Sequence, residues 1–190
     1  MSTRFLLKDV RLAFGQGLWR KSKPPKAGPD AKEKFRVTLL LAKKDHPQPA
    51  EVRKIIRAEA QALFGSKWEA ILKGAEAQQK VCLRDGDLKS EYEGFADHWA
   101  ISANSFTRPS VFDAQRNPVT EDSGIVYSGC YVNAIVSFKA FDNVSKGVTA
   151  ELSGVQFWRK GDAFSGGKVA EADEFPDEIA APAEEDELTR

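Results

Sequence analysis

The chain has 190 residues, 42% of them hydrophobic and 10% aromatic, which suits one folded domain with a sizeable core. No apolar run approaches the roughly 20 residues that cross a bilayer, and charges interrupt every apolar stretch of the N-terminal MSTRFLLKDVRLAF, so the expectation is a soluble cytoplasmic protein without a secretory signal. Its 28 bases and 28 acids balance only in total: residues 169–190 hold nine acids against the single base Arg190, a formal charge of −8, and residues 1–168 therefore carry +8. A basic body joined to an acidic end is the charge layout of a polyanion binder whose tail competes for the same surface or recruits a basic partner. The expected organisation is a folded domain over 1–168 and a disordered acidic tail over 169–190.

Along the chain, Phe5, Leu7, Val10, Leu12 and Phe14 nearly alternate with polar residues. The one slip, at Lys8 and Asp9, predicts a strand with a β-bulge. Residues 15–34, rich in Gly, Pro and Lys, read as an exposed basic loop holding Trp19. FRVTLLLA, residues 35–42, is a buried strand. From Gln48 to Lys73 the apolar residues recur at the helical period, with a break expected at Gly65, and the charges Glu51, Arg53, Lys54, Arg57 and Glu59 mostly fall on a solvated face. A short strand, a turn at Asp85 and Gly86, a polar loop and a strand over Trp99 to Ala103 follow, with Trp99 in the core.

Ile125 to Phe141 reads as one long strand presenting Tyr127, Tyr131 and Lys139 on the same face. VTAELSGVQFWRKG then gives either a strand pair or one long bulged strand. The predicted class is mostly β with one inserted helix between the third and fourth strands. A small antiparallel Greek-key barrel of the oligonucleotide-binding (OB) type meets that description.

A single-strand binder needs cations for phosphates and exposed aromatic faces for bases, each stacked base contributing about 1–3 kcal/mol. Residues 1–44 carry twelve bases against three acids, and within them Trp19, Arg20, Lys21, Lys23 and Arg36 are candidates for DNA contact. Trp19 either meets nucleic acid or packs its own loop; Tyr127 and Tyr131 either stack bases with Lys139 nearby or are core residues with satisfied hydroxyls. Phe106 and Arg108 form a second candidate group, Arg108 being held extended by Pro109. Trp158 and Arg159 form a third, since one of the adjacent Phe157 and Trp158 must face outward on a strand.

An enzymatic alternative places Asp85, Asp87 and Glu91 around a divalent cation, as a metal-dependent nuclease would. An RNA-binding or nucleic-acid chaperone module would use the same charges and aromatics as a DNA binder. Cys82 and Cys130 are isolated and read as small buried hydrophobes, no zinc-ligand spacing occurs, and the common nucleotide and hydrolase motifs are absent, so no metal or cofactor is expected.

Three segments carry a resemblance: GFADHWAISANSFTRPSVFDAQRNPV, then VYSGCYVNAIVSFKAFDN, then GVTAELSGVQFWRKGDAFSGG, followed by the acidic end. The chain resembles the bacteriophage single-stranded DNA-binding proteins of the OB-fold type over most of residues 3–167. The resemblance implies a replication and recombination accessory protein in the infected bacterial host, coating single-stranded DNA without sequence preference. It further implies that the acidic residues Glu171, Asp173, Glu174, Asp177, Glu178, Glu184, Glu185, Asp186 and Glu187 moderate DNA binding and recruit phage or host replication proteins. It brings no catalytic residues.

Overall fold

The computed structural model describes residues 2–165, so the acidic tail and the boundary expected at residue 168 lie outside the described residues. Strand β1 (Thr3–Ala13) pairs with β3 (Lys34–Ala42) and with β7 (Tyr131–Asp142). β3 pairs with β5 (His98–Ser105), β5 with β8 (Lys146–Arg159), and β8 with β7. That circuit returns to its starting strand, so five strands close into a barrel. Four of its seams are antiparallel; β5 and β8 run parallel, because the chain crosses the barrel end before β8 is laid down. Short strands β2 (Lys21–Ser22), β4 (Leu83–Asp85) and β6 (Ser110–Phe112) extend the sheet beside β3, β5 and β8.

Alternation fills the barrel: Leu12 from β1, Val37, Leu39 and Leu41 from β3, Ile101 from β5, and Val132, Ala134, Val136 and Phe138 from β7 are all buried. The expected bulge lies in β1, where the register shifts between Leu7 and Val10 and Asp9 takes φ 52°. Leu7 and Val10 are three residues apart, yet both are fully buried, which an unbroken period of two forbids and an extra residue permits.

The inserted helix is α1 (Pro49–Phe64) followed by α2 (Trp68–Ala77), broken by a single 3₁₀ turn at Gly65–Lys67. Gly65 has φ 61°, a conformation that interrupts the helix where the sequence placed the break. Val52, Ile56 and Ala60 of α1 and Leu72 and Ala75 of α2 join the barrel core against β7 and β8. The insertion stands between the third and fourth of the eight strands, which is between the second and third strands of the barrel circuit.

Three expectations are corrected. β7 begins at Tyr131, not Ile125: a turn closed by the Cys130 N–H donating to the Tyr127 carbonyl at 3.2 Å precedes it, and Gly129 in that turn, at φ 105°, packs so closely that a Cβ there would lie 2.1 Å from the Asp162 carbonyl oxygen. Tyr127 therefore precedes the strand and shares no strand face with Tyr131 and Lys139. Residues 15–34 are not wholly irregular, since Gly15–Leu18 form a 3₁₀ turn with Leu18 buried, and Lys21 and Ser22 pair with Phe35 and Lys34. Trp99 is half-buried against the core rather than enclosed in it. Of the two readings of residues 148–161, one long strand is realised, β8, with register shifts opposite Tyr131/Val132 and Ile135/Val136.

Candidate nucleic-acid interface

Because side chains alternate, the outer face of β3 presents Arg36, Thr38 and Leu40, and its register sets them opposite Asn104, Ser102 and Ala100 of β5. Ala100 in turn faces Arg84 of β4. Over this sheet runs a groove of about 790 Å³. The β1–β3 connection forms one bank with Phe14, Arg20, Lys21 and Lys23, and the loop after β4 forms the other with Leu88, Lys89, Tyr92 and Phe95.

The groove is strongly positive. Arg20, Lys21, Lys23, Arg36, Arg84 and Lys89 line it together with Arg53 and Arg57 of α1, against two acids, Glu76 and Asp85. Arg20 is ion-paired with Glu121 at 3.1 Å, but among the described residues Lys21, Lys23, Arg36 and Arg84 make no ion pair. Arg36 uses its Nε to donate to the Ser22 carbonyl at 3.2 Å; Arg84 donates to the carbonyls of Val81 at 3.1 Å and Gln79 at 2.8 Å. Partial burial lowers the pKa of both guanidiniums. Burial also lowers that of Lys34, with the neighbouring Arg36 charge adding to the effect. Partly desolvated cations without carboxylate partners favour an incoming anion.

Three aromatic rings stand at the mouth. Phe14 meets Tyr92 edge to face with centroids 5.5 Å apart, and Phe95 lies 5.5 Å from Tyr92 and 6.0 Å from Phe14. Phe95 is buried with Ala13, Leu40, Ala100 and Phe164 in a small second core, while Phe14 and Tyr92 remain 38% and 42% exposed. None of the three stood out in sequence: Phe14 reads as the last residue of a strand alternation and Tyr92 as part of an acidic loop. Arg84 was equally silent, its role coming from the β4–β5 register.

The loop that carries Tyr92 is tied down by the acids of the nuclease alternative. Lys43 Nζ donates to Asp85 at 2.6 Å and to Asp87 at 2.5 Å, and the other Asp87 oxygen accepts the Asp97 N–H at 2.7 Å. The Lys43 hydrogen bonds hold both carboxyls below the usual carboxylate range and the ammonium above its own. Asp85 and Asp87 thus serve as anchors for a loop, Glu91 stands exposed apart from them, and among the described residues no group of three or more His, Cys, Asp or Glu is placed to hold a metal ion.

The twelve sequence candidates divide among several places. Arg20, Lys21, Lys23 and Arg36 line the groove. At its β3 end, Lys34 lies 4.4 Å from the ring of Phe106, which is 53% exposed, and Arg108 lies 5.8 Å from the Phe35 ring and donates to the Trp19 carbonyl at 3.1 Å. Trp19 itself is half-buried against the core. Tyr131 and Arg159 are on the β7–β8 side, where Trp158 is 53% exposed and Phe157 turns inward. Tyr127 is half-buried and its hydroxyl donates to the Gly161 carbonyl at 2.8 Å, the satisfied-hydroxyl alternative. Lys139 is exposed near the far end of β7 and joins none of these groups.

Residues 3–188 match the model of the family described as Enterobacter phage Enc34, ssDNA-binding protein. The chain belongs to that family. Protein p50 of Acyrthosiphon pisum secondary endosymbiont phage 1 is 40% identical over 188 residues, covering 96% of each chain. Among solved structures, the single-stranded DNA-binding protein from bacteriophage Enc34 in complex with ssDNA superposes with a TM-score of 0.70 at 20% identity, over 85% of this chain and 89% of that one. The gp2.5 single-stranded DNA-binding protein encoded by bacteriophage T7 gives 0.56 at 14% identity, over 95% and 100%. At such identities these likenesses establish the fold. No helix among the described residues is long and apolar enough to cross a membrane.

Proposed function

We propose that this protein binds single-stranded DNA without sequence preference, as an accessory to phage DNA replication, recombination and repair in the cytoplasm of the infected host. The observation that carries the reading is the juxtaposition of unpaired cations, Arg36 and Arg84 on the floor and Lys21 and Lys23 on the bank, with the exposed Phe14–Tyr92 pair in one groove. Guanidiniums and ammoniums meet phosphates whatever the base, and an aromatic face stacks on any base, so the pairing gives affinity without a code. Phe106 and Arg108 extend the contact surface at the β3 end, and the exposed Trp158 offers a separate contact on β8, beside a Tyr131–Arg159 pair that Asp9 holds together. The protein's role is binding and requires no cofactor.

The tail acts as a competitor. The formal charge of −8 over residues 169–190 opposes a formal charge of +8 over residues 1–168. In this reading the acidic residues Glu171 to Glu187 compete with DNA for the basic surface by charge alone and, once displaced, become available to basic replication proteins. The test is anisotropy of labelled oligo(dT) with the full chain and with a chain ending at Lys168, beside duplex DNA and an RNA competitor. Tight single-strand binding, further tightened by truncation at low salt, supports both parts. Equal affinity for RNA shifts the reading to a general nucleic-acid chaperone, and truncation without effect removes the competing tail.

A further inference from the structure

We infer that the single-stranded DNA path does not stop at the barrel but turns over the β4 edge onto helix α1, where Arg53 and Arg57 take backbone phosphates. The inference rests on the groove being a DNA path. The groove is continuous from the outer face of β3 across β5 and β4 to α1 and α2. From β2 to β4 it crosses three interstrand spacings, roughly 14 Å, before meeting the helix. Arg84 is the stepping stone: it sits on the outer face of β4, and its guanidinium donates to Gln79, which lies just after α2 and also lines the groove.

Arg53 and Arg57 are four residues apart and so lie one turn apart on the groove side of α1. Like charges at that spacing repel, and among the described residues neither has an ion-pair partner. Glu76 of α2 lines the same stretch without closing a bridge to them. An amphipathic helix needs only an apolar stripe toward the core, and that stripe is met by Val52, Ile56 and Ala60. The apolar stripe itself needs no arginine at either position.

Arg53 is also held in place. Its guanidinium lies 4.1 Å from the centroid of the Trp99 ring, and the Lys43 ammonium lies 4.8 Å from the same ring. A guanidinium stacked on an indole keeps its N–H edges free for a phosphate and loses less conformational freedom on binding. Trp99 is thus a positioning residue for Arg53.

The test uses the full chain, Arg53→Gln/Arg57→Gln together, and two oligo(dT) lengths of about 6 and about 20 nucleotides, one near the low end of the site sizes usual for OB folds and one beyond them. The double variant should bind the long oligonucleotide about tenfold more weakly, with the salt slope reduced by about 1.4 for two lost phosphate contacts, while the short one is bound as before. Arg36→Gln should weaken both lengths. Trp99→Leu should reproduce part of the loss on the long oligonucleotide, and Trp99→Phe should restore it. Equal losses on both lengths, or no loss on the long one while Arg36→Gln still weakens binding, overturn the helical extension alone. If the unaltered protein binds neither oligonucleotide, the DNA-path reading fails with it.

Discussion

The Arg159 guanidinium lies 3.5 Å from the centroid of the Tyr131 ring and is held there by Asp9, whose carboxylate accepts from Arg159 Nε at 2.8 Å. Asp9 is the bulge residue of β1, so one ladder irregularity, one ion pair and one cation–π contact close the β1–β7–β8 seam on the outside. One face of Tyr131 is therefore occupied. Tyr131→Leu is expected to lower stability by about 0.5–1 kcal/mol and to leave oligo(dT) affinity within about threefold, measured by chemical denaturation beside anisotropy. A large binding loss at unchanged stability would make Tyr131 a stacking residue.

The opposite outcome is expected at the groove mouth. Tyr92→Ala removes an exposed ring from the Phe14–Tyr92 pair and should weaken single-strand binding by about 1–3 kcal/mol, with a smaller change in thermal stability. Phe14→Leu keeps apolar bulk without a π-face and should show the same ranking. Binding unaltered in both would place the bases elsewhere.

Lys43 links stability to acid pH. Asp85 and Asp87 have lowered pKa values in the folded chain, chiefly through the Lys43 hydrogen bonds, so their contribution is present above the ordinary carboxylate value of about 3.9 and is lost as pH falls through the lowered values. Lys43→Met should therefore be less stable than the unaltered protein at pH 7, with the gap closing at pH 3 and below in urea titrations. A gap of equal size at both pH values would assign the role of Lys43 to its packing on Trp99 instead.

Gly17 fixes the basic bank of the groove. A Cβ at this position would lie 1.6 Å from the Arg36 carbonyl oxygen and 2.6 Å from its carbonyl carbon, both backbone atoms that cannot rotate aside. Gly17→Ala should cost about 2–3 kcal/mol and weaken DNA binding as Lys21 and Lys23 shift, read from denaturation and anisotropy on the same sample. A neutral substitution would show that the 3₁₀ turn re-forms elsewhere.

The two thiols should be silent in the native protein. Both are buried and unpaired with each other, and burial pushes the Cys82 thiol up to about 12 and raises that of Cys130. A thiol reagent at pH 8 should label neither until denaturant is added, when both react. Prompt labelling of one in the native state would reveal local opening at β4 or before β7.

The sequence by itself determined the strands whose burial alternates, the bulge at Lys8 and Asp9, the helix with its break at Gly65, and the opposed charges of body and tail. Each is a local pattern: side-chain period, a glycine freed from Cβ sterics, and counted charge. It also isolated Arg36, Lys21 and Lys23, because a dense run of bases is visible without coordinates. Only tertiary structure decided which residues meet. Arg84, Tyr92, Phe14 and Arg53 come from four different segments and converge because barrel closure brings β3, β5 and β4 side by side and the insertion, packed on β7 and β8, sets α1 along the same groove. The start of β7 was likewise unreadable, since the turn before Tyr131 packs Gly129 against the Asp162 carbonyl of a segment more than thirty residues onward. Long-range register and close backbone approach leave no periodic trace in the chain, and here they select the groove.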